Sequence, residues 1–70
     1  MAESQQESPA KRFSRLFRKA GVFLAKAQFR QALVPLREGE ALALALGDGE
    51  KLALFRGEIA RCEKRRAEKY

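Results

Sequence analysis

A single thiol, Cys62, is the strongest nucleophile in this 70-residue chain. A thiol attacks as its thiolate, and a catalytic cysteine is normally activated by a neighbouring base. The chain contains no histidine to serve as one. Cys62 instead falls in step with Leu52, Phe55 and Ile59 at helical spacing, which predicts a core thiol. One cysteine excludes a disulfide between residues of this chain. One thiol without histidine also argues against structural zinc, which takes four Cys or His ligands. Paired carboxylates are the other candidates for acid–base chemistry. Glu38/Glu40 and Glu58/Glu63 lie closest in sequence, but each pair sits among basic residues on faces expected to be solvated. Glu58 is spaced to meet Arg61, and Glu63 to meet Arg66, so ion pairs are expected there. Leu46-Gly47-Asp48-Gly49-Glu50-Lys51 has the glycines of a phosphate loop without its spacing or a preceding strand, and it reads as helix punctuation. These residues predict neither an enzyme nor a cofactor or metal site.

The most unusual chemistry is the run Lys11-Arg12-Phe13-Ser14-Arg15-Leu16-Phe17-Arg18-Lys19, where aromatics interleave with cations. On nucleic acid, the cations would meet phosphates. On an anionic membrane surface, Phe13, Leu16, Phe17 and Phe23 would insert. On a protein, the apolar face of Phe13, Leu16, Phe17, Phe23 and Leu24 would dock into a groove. The competing expectation is that the phenylalanines fill this protein's own core while the cations solvate it. A second basic run, Arg61 to Lys69, would extend the patch if the first and last helices lie side by side. The candidate basic set is then Lys11, Arg12, Arg15, Arg18, Lys19, Arg30, Arg61, Arg65 and Arg66.

Charge is distributed unevenly around a net +6. Residues 1–10 carry −2, 11–31 carry +7 with no acid, 32–50 carry −3 and 51–70 carry +4. Such asymmetry fits either solvated helix faces or an anionic partner such as nucleic acid, an acidic protein or a membrane surface. No apolar run approaches the ~20 residues of a membrane span. The polar, acidic first residues do not read as a secretory signal, and a lone cysteine suits a reducing compartment, so a cytoplasmic location is expected.

These residues have to be positioned by helices. Residues 1–8 read as a disordered tail and 9–70 as one small domain. Ser8-Pro9 is a helix start, with serine capping and proline at the first helical position. Phe13, Leu16, Phe17, Ala20, Leu24 and Ala27 then recur at helical spacing, with the cations largely off that stripe. Nothing strong interrupts the pattern before Leu33, and Pro35 should kink the chain or open a second helix. A break near Gln28 is the alternative. Residues 36–46 alternate alanine and leucine like a strand, yet contain no β-branched residue and the best helix formers, so a short helix buried between two others is expected. Gly47-Asp48 is a stop followed by a start. Residues 50–67 form the last helix.

FRQALVPLREGEALALALGD, residues 29–48, resembles the second helix of a tetratricopeptide repeat with long helices and a Leu-Gly-Asp turn. Phe29, Ala32, Leu36 and Gly39 stand where that family places an aromatic, a small, a bulky and a small residue. GEKLALFRGEIARCE resembles the first helix of the next repeat, with Gly57 at a small position where helices touch. Ala20-Gly21 and Leu24 loosely resemble the preceding first helix, one residue out of step. Arg56 departs from the family, which usually has a large apolar residue there. The resemblance covers about one and a half repeats, residues 16–63, whereas stable arrays need about three. It implies a helical hairpin that binds protein partners.

The expected fold is therefore all-α, a three-helix bundle or tetratricopeptide-like hairpin. The expected function is a non-catalytic, self-associating protein-interaction module. A small nucleic-acid-binding protein is the alternative, and a membrane-surface binder the weaker one.

Overall fold

The computed structural model describes residues 8–67, which form three helices: α1 (Pro9–Ala25), α2 (Phe29–Leu46) and α3 (Gly49–Ala67). Residues 1–7, most of the expected tail, and 68–70 lie outside the described part. The all-α expectation holds, in the form of a three-helix bundle. No described helix is long and apolar enough to cross a membrane.

α1 starts as its sequence dictates. The Ser8 hydroxyl accepts from the Lys11 backbone N–H at 3.3 Å, and Pro9 occupies the first turn, where its missing N–H costs nothing. It ends earlier than its periodicity predicts. The Gln28 N–H donates to the Phe23 carbonyl at 2.8 Å and the Ala27 N–H to that of Leu24 at 3.0 Å, the paired bonds of a Schellman cap. That cap needs a left-handed residue, and Ala27 supplies it at φ 58°. A Cβ in this region costs about 1–2 kcal/mol. Ala27→Gly is therefore expected to stabilise the protein by about 1 kcal/mol in urea denaturation followed by circular dichroism. A loss of stability would show that this turn is not left-handed.

The break thus falls at residues 26–28, and Pro35 sits inside α2. Proline there withdraws the N–H that the Gln31 carbonyl would accept from. Gln31 is exposed, so water can serve that carbonyl, while the Pro35 ring itself is fully buried. Folding back at Ala27 lets Ala32, Leu33 and Leu36 join Phe13, Leu16 and Ala20 in one core. A helix continued to Leu33 would have carried those residues away from their partners.

The second turn follows its sequence. Gly47 is left-handed at φ 69°, with the Asp48 N–H donating to the Ala43 carbonyl at 2.9 Å. Asp48 Oδ1 then accepts from the Lys51 N–H at 3.1 Å, so one residue closes α2 and caps α3.

α2 lies between the other two and packs against both, while α1 and α3 approach each other mainly through side chains. The centre of that approach is Phe55. Its ring is fully buried, 5.6 Å from the Phe13 ring and 5.0 Å from that of Phe17, centre to centre. It lies over Gly39 of α2, where a Cβ would come within 2.3 Å of the ring. The absence of a side chain at Gly39 is what lets α3 reach across α2 to α1. α2 is central as expected, but neither short nor wholly buried. It has 18 residues, and within 41–46 only Ala43 is fully buried; Val34, Leu44 and Leu46 face outward.

Candidate functional site

The apolar residues proposed to dock a partner are placed mostly inward. Phe13 and Leu16 belong to the core, and Phe17, Phe23 and Leu24 are partly buried against it. Phe13 and Leu16 are therefore not available as docking side chains in this fold. The competing expectation describes their position, because a chain of this size has few other residues large enough to fill its centre. Phe23 retains some surface in a shallow groove between α1 and α2, with Lys19, Val34 and Pro35 beside it.

All nine candidate basic residues are exposed, but they form two groups. Lys11, Arg12, Arg15, Arg18 and Lys19 lie along α1. Arg30, Arg61, Arg65 and Arg66 gather at the opposite end of the bundle. Arg30 and Arg66 line one open cleft with Phe29 and Gln31, and Arg61 and Arg65 flank Leu24 and Phe29. The Arg65 guanidinium stacks 5.6 Å over the Phe29 ring, a cation–π contact. α1 and α3 do run parallel, as two successive antiparallel steps require. Their register, however, sets Phe13 and Phe17 beside Phe55 and sets Leu24 beside Arg61 and Arg65. Arg15 is thus level with Phe55, about 9 Å along the axis short of Arg61, and Arg18 is about 4.5 Å short of it, at 1.5 Å per residue. The two basic runs do not merge into the single patch that side-by-side helices suggested.

The carboxylates are engaged in ion pairs. Glu40 Oε2 accepts from Arg56 Nε at 2.9 Å, Glu63 Oε2 from Arg37 Nη2 at 2.6 Å and Glu58 Oε2 from Arg61 Nη1 at 3.2 Å. The Glu58–Arg61 pair is the one its spacing predicts, whereas Glu63 reaches across to α2 rather than to Arg66. Arg56, the departure from the tetratricopeptide pattern, joins α3 to α2 by an ion pair where an apolar side chain would have packed. These pairs are solvent-exposed, and each contributes at most about 1 kcal/mol.

Cys62 is buried, and its thiol donates to the Phe29 carbonyl at 3.1 Å. Burial pushes its pKa up, with Glu63 and Glu58 adding to the effect and Arg66 opposing it. A raised pKa means that the folded protein holds this proton more tightly than the unfolded chain does. Its contribution to stability is complete below the unfolded thiol's pKa of about 8.5 and is lost as pH rises beyond it. Urea midpoints measured between neutral pH and about 9.5 should fall for the wild type as pH rises. Cys62→Ala should remove this slope; an unchanged slope would place the thiol in contact with water. Among the described residues no cluster of histidine, cysteine or carboxylate side chains could hold a metal ion.

Two features escaped the sequence. The approach of Phe55 to Gly39 joins residues of different helices, and no local pattern encodes it. The exposed leucines of α2 and α3 were hidden in an alternating pattern that assigns no face. Comparison with protein-family models, curated proteins and solved structures gives no match to this chain.

Proposed function

We propose that this protein is a non-catalytic helical interaction module that self-associates by packing a helix of a second copy against α3. The observation that carries this reading is the open edge of the layer. α2 is packed on both sides, but α3 meets a neighbouring helix mainly on the side facing α2. Its outer flank carries Gly49, Ala53, Gly57 and Ala60 at successive turns, all exposed, with Leu54 beside them 43% exposed. Small residues let a second helix approach closely, and Leu54 supplies apolar area to bury. The likeness to a tetratricopeptide hairpin agrees with this, since the first helix of such a repeat is completed by a further helix. With ten buried hydrophobic residues among those described, the domain also gains from association more than a large domain would.

Sedimentation equilibrium provides the test. The wild type should show a mass above the 7.9 kDa monomer that rises with concentration, together with a concentration-dependent melting temperature. Gly57→Glu places a charged side chain on the flank, where a Cβ would have no atom within 4 Å of it. It should give a monomer folded at least as well as the wild type, because glycine in a helix interior costs about 0.5–1 kcal/mol. A wild type that stays monomeric, with a melting temperature independent of concentration, would overturn the proposal.

A further inference from the structure

α1 presents an arc of exposed cations. At 3.6 residues per turn, Arg18, Lys11, Arg15, Lys19 and Arg12 span about 120° of the helix circumference, and Lys26, the C-cap residue, follows them at the helix end. All six are exposed. The core side chains Phe13, Leu16 and Ala20 occupy the opposite arc. From Ser8 to Arg37 the chain contains no acid. From the packed α2, Glu38 borders a cleft with Arg12 and Arg15 and also lines the groove beside Lys19, along one side of the arc. Acids and cations are interleaved on α2 and α3 instead, where Arg37, Arg56 and Arg61 are each joined to a glutamate.

The surroundings of this arc decide between anionic partners. A membrane surface requires apolar side chains to insert beside the cations. Within this arc the only large apolar residue is Val22, and Phe13 and Leu16 are committed to the core. Single-stranded nucleic acid is held by stacking bases on exposed aromatic rings. None of the described aromatics is exposed: Phe13 and Phe55 are buried, and Phe17, Phe23 and Phe29 are half-buried. A duplex requires neither insertion nor stacking. Its phosphates are met by Lys and Arg alone.

Shape separates the two kinds of duplex. α1 has 17 residues, so it is about 25 Å long, and with side chains about 10–12 Å across. The B-DNA major groove is ~12 Å wide and admits such a helix. The major groove of duplex RNA is too deep and narrow for it. As an edge helix packed on α2, α1 can enter a groove without its neighbours colliding with the walls, and an arc of about 120° reaches phosphates on both of them.

We propose that α1 binds the phosphate backbone of duplex DNA from the major groove, through Lys11, Arg18, Lys19 and Lys26 with Arg12 at the margin, without sequence preference. This is independent of self-association through α3. Fluorescence anisotropy with a labelled DNA duplex, titrated with sodium chloride, tests it. Four to five phosphate contacts give a log–log slope of about −3.6 to −4.5. Arg18→Gln/Lys19→Gln removes two of them and should flatten the slope by about 2, weakening binding equally on unrelated sequences. Both residues are exposed, so the variant's circular dichroism should match the wild type. Arg65→Gln/Arg66→Gln, at the other end of the bundle, should leave the slope within about 0.5 of the wild-type value if α1 alone makes the contacts. The proposal is overturned by absence of duplex binding at low salt, or by a slope indifferent to the α1 pair. Tighter binding to single-stranded DNA, to duplex RNA or to phosphatidylglycerol vesicles overturns it as well, and identifies the ligand instead.

Discussion

Phe55→Ala is expected to leave little folded protein at ambient temperature. Phe55 is fully buried and meets all three helices: it belongs to α3, covers Gly39 of α2 and touches Phe13 and Phe17 of α1. Truncating a buried phenylalanine costs about 3–5 kcal/mol, as lost transfer energy plus the cavity left behind. A domain of this size has about 4–10 kcal/mol in total. The hole would also open where α1 and α3 have little other contact, so helix shifts that close it would break the remaining packing. Urea denaturation monitored by far-ultraviolet circular dichroism measures the effect. Val34→Ala, at a side chain 63% exposed, is the matched control and should stay within about 0.5 kcal/mol of wild type. A Phe55→Ala cost no larger than the control's would mean that the ring does not hold the bundle together.

The second large effect is expected at a residue with no side chain. Gly39→Ala adds one methyl group 2.3–2.5 Å from three atoms of the Phe55 ring. The ring cannot swing aside, because Phe13 and Phe17 bound it on the α1 side. Overpacking of this kind costs about 1–3 kcal/mol or more. Replacing a helical glycine with alanine returns about 1 kcal/mol of propensity, so a net loss of about 2 kcal/mol is expected. Gly57→Ala is the contrast: the same chemical change on a helix where nothing lies within 4 Å. In the monomer, at protein concentrations too low for association, the propensity gain stands alone, about 0.5–1 kcal/mol of added stability. Opposite signs from one substitution type at two glycines are the signature of the Phe55 contact. In a Phe55→Leu background the Gly39→Ala penalty should shrink, and the coupling between the two changes measures the contact directly. Equal effects at both glycines would remove Gly39 from the centre of the packing.

The parts of the fold that were legible in the sequence are those set by local chemistry. Ser8-Pro9 and Gly47-Asp48 read correctly because a cap is made by neighbours in the chain. The stripe of Phe55, Ile59 and Cys62 read correctly because helical spacing alone assigns its face. The break after α1 was legible only as the alternative near Gln28, which the structure adopts in place of Pro35. Ala27 is a residue type that argues against a left-handed turn, and Pro35 is one that argues for an interruption. The structure reverses both, since burying Ala32, Leu33 and Leu36 against α1 outweighs roughly 1–2 kcal/mol of backbone preference at Ala27. The resemblance that began a helix at Phe29 located this boundary better than periodicity did. It also named Gly39 and Gly57 alike as small positions, whereas only Gly39 is pressed by another helix within the chain. The basic residues were legible as exposed cations. Their division into two groups was not, because it depends on the register of α1 against α3.

Ala27 has a consequence for topology. Residues 9–25 and 29–46 are separated by three residues, and the reversal between them rests on Ala27 at φ 58° and on Gln28 at φ −94°, ψ 73°. If Ala27 and Gln28 both took helical dihedrals, residues 9–46 would become a single rod about 57 Å long at 1.5 Å per residue. The α1 of such a chain is too far from its own α2 and α3 to pack on them, but it can dock on those of another chain. Exchange of an identical element between two chains is a low-cost route to a dimer when the hinge is strained. An exchanged pair of this kind would rebuild the same core from two chains, and glycine at position 27, which is unstrained in the left-handed turn, should disfavour it relative to the closed monomer.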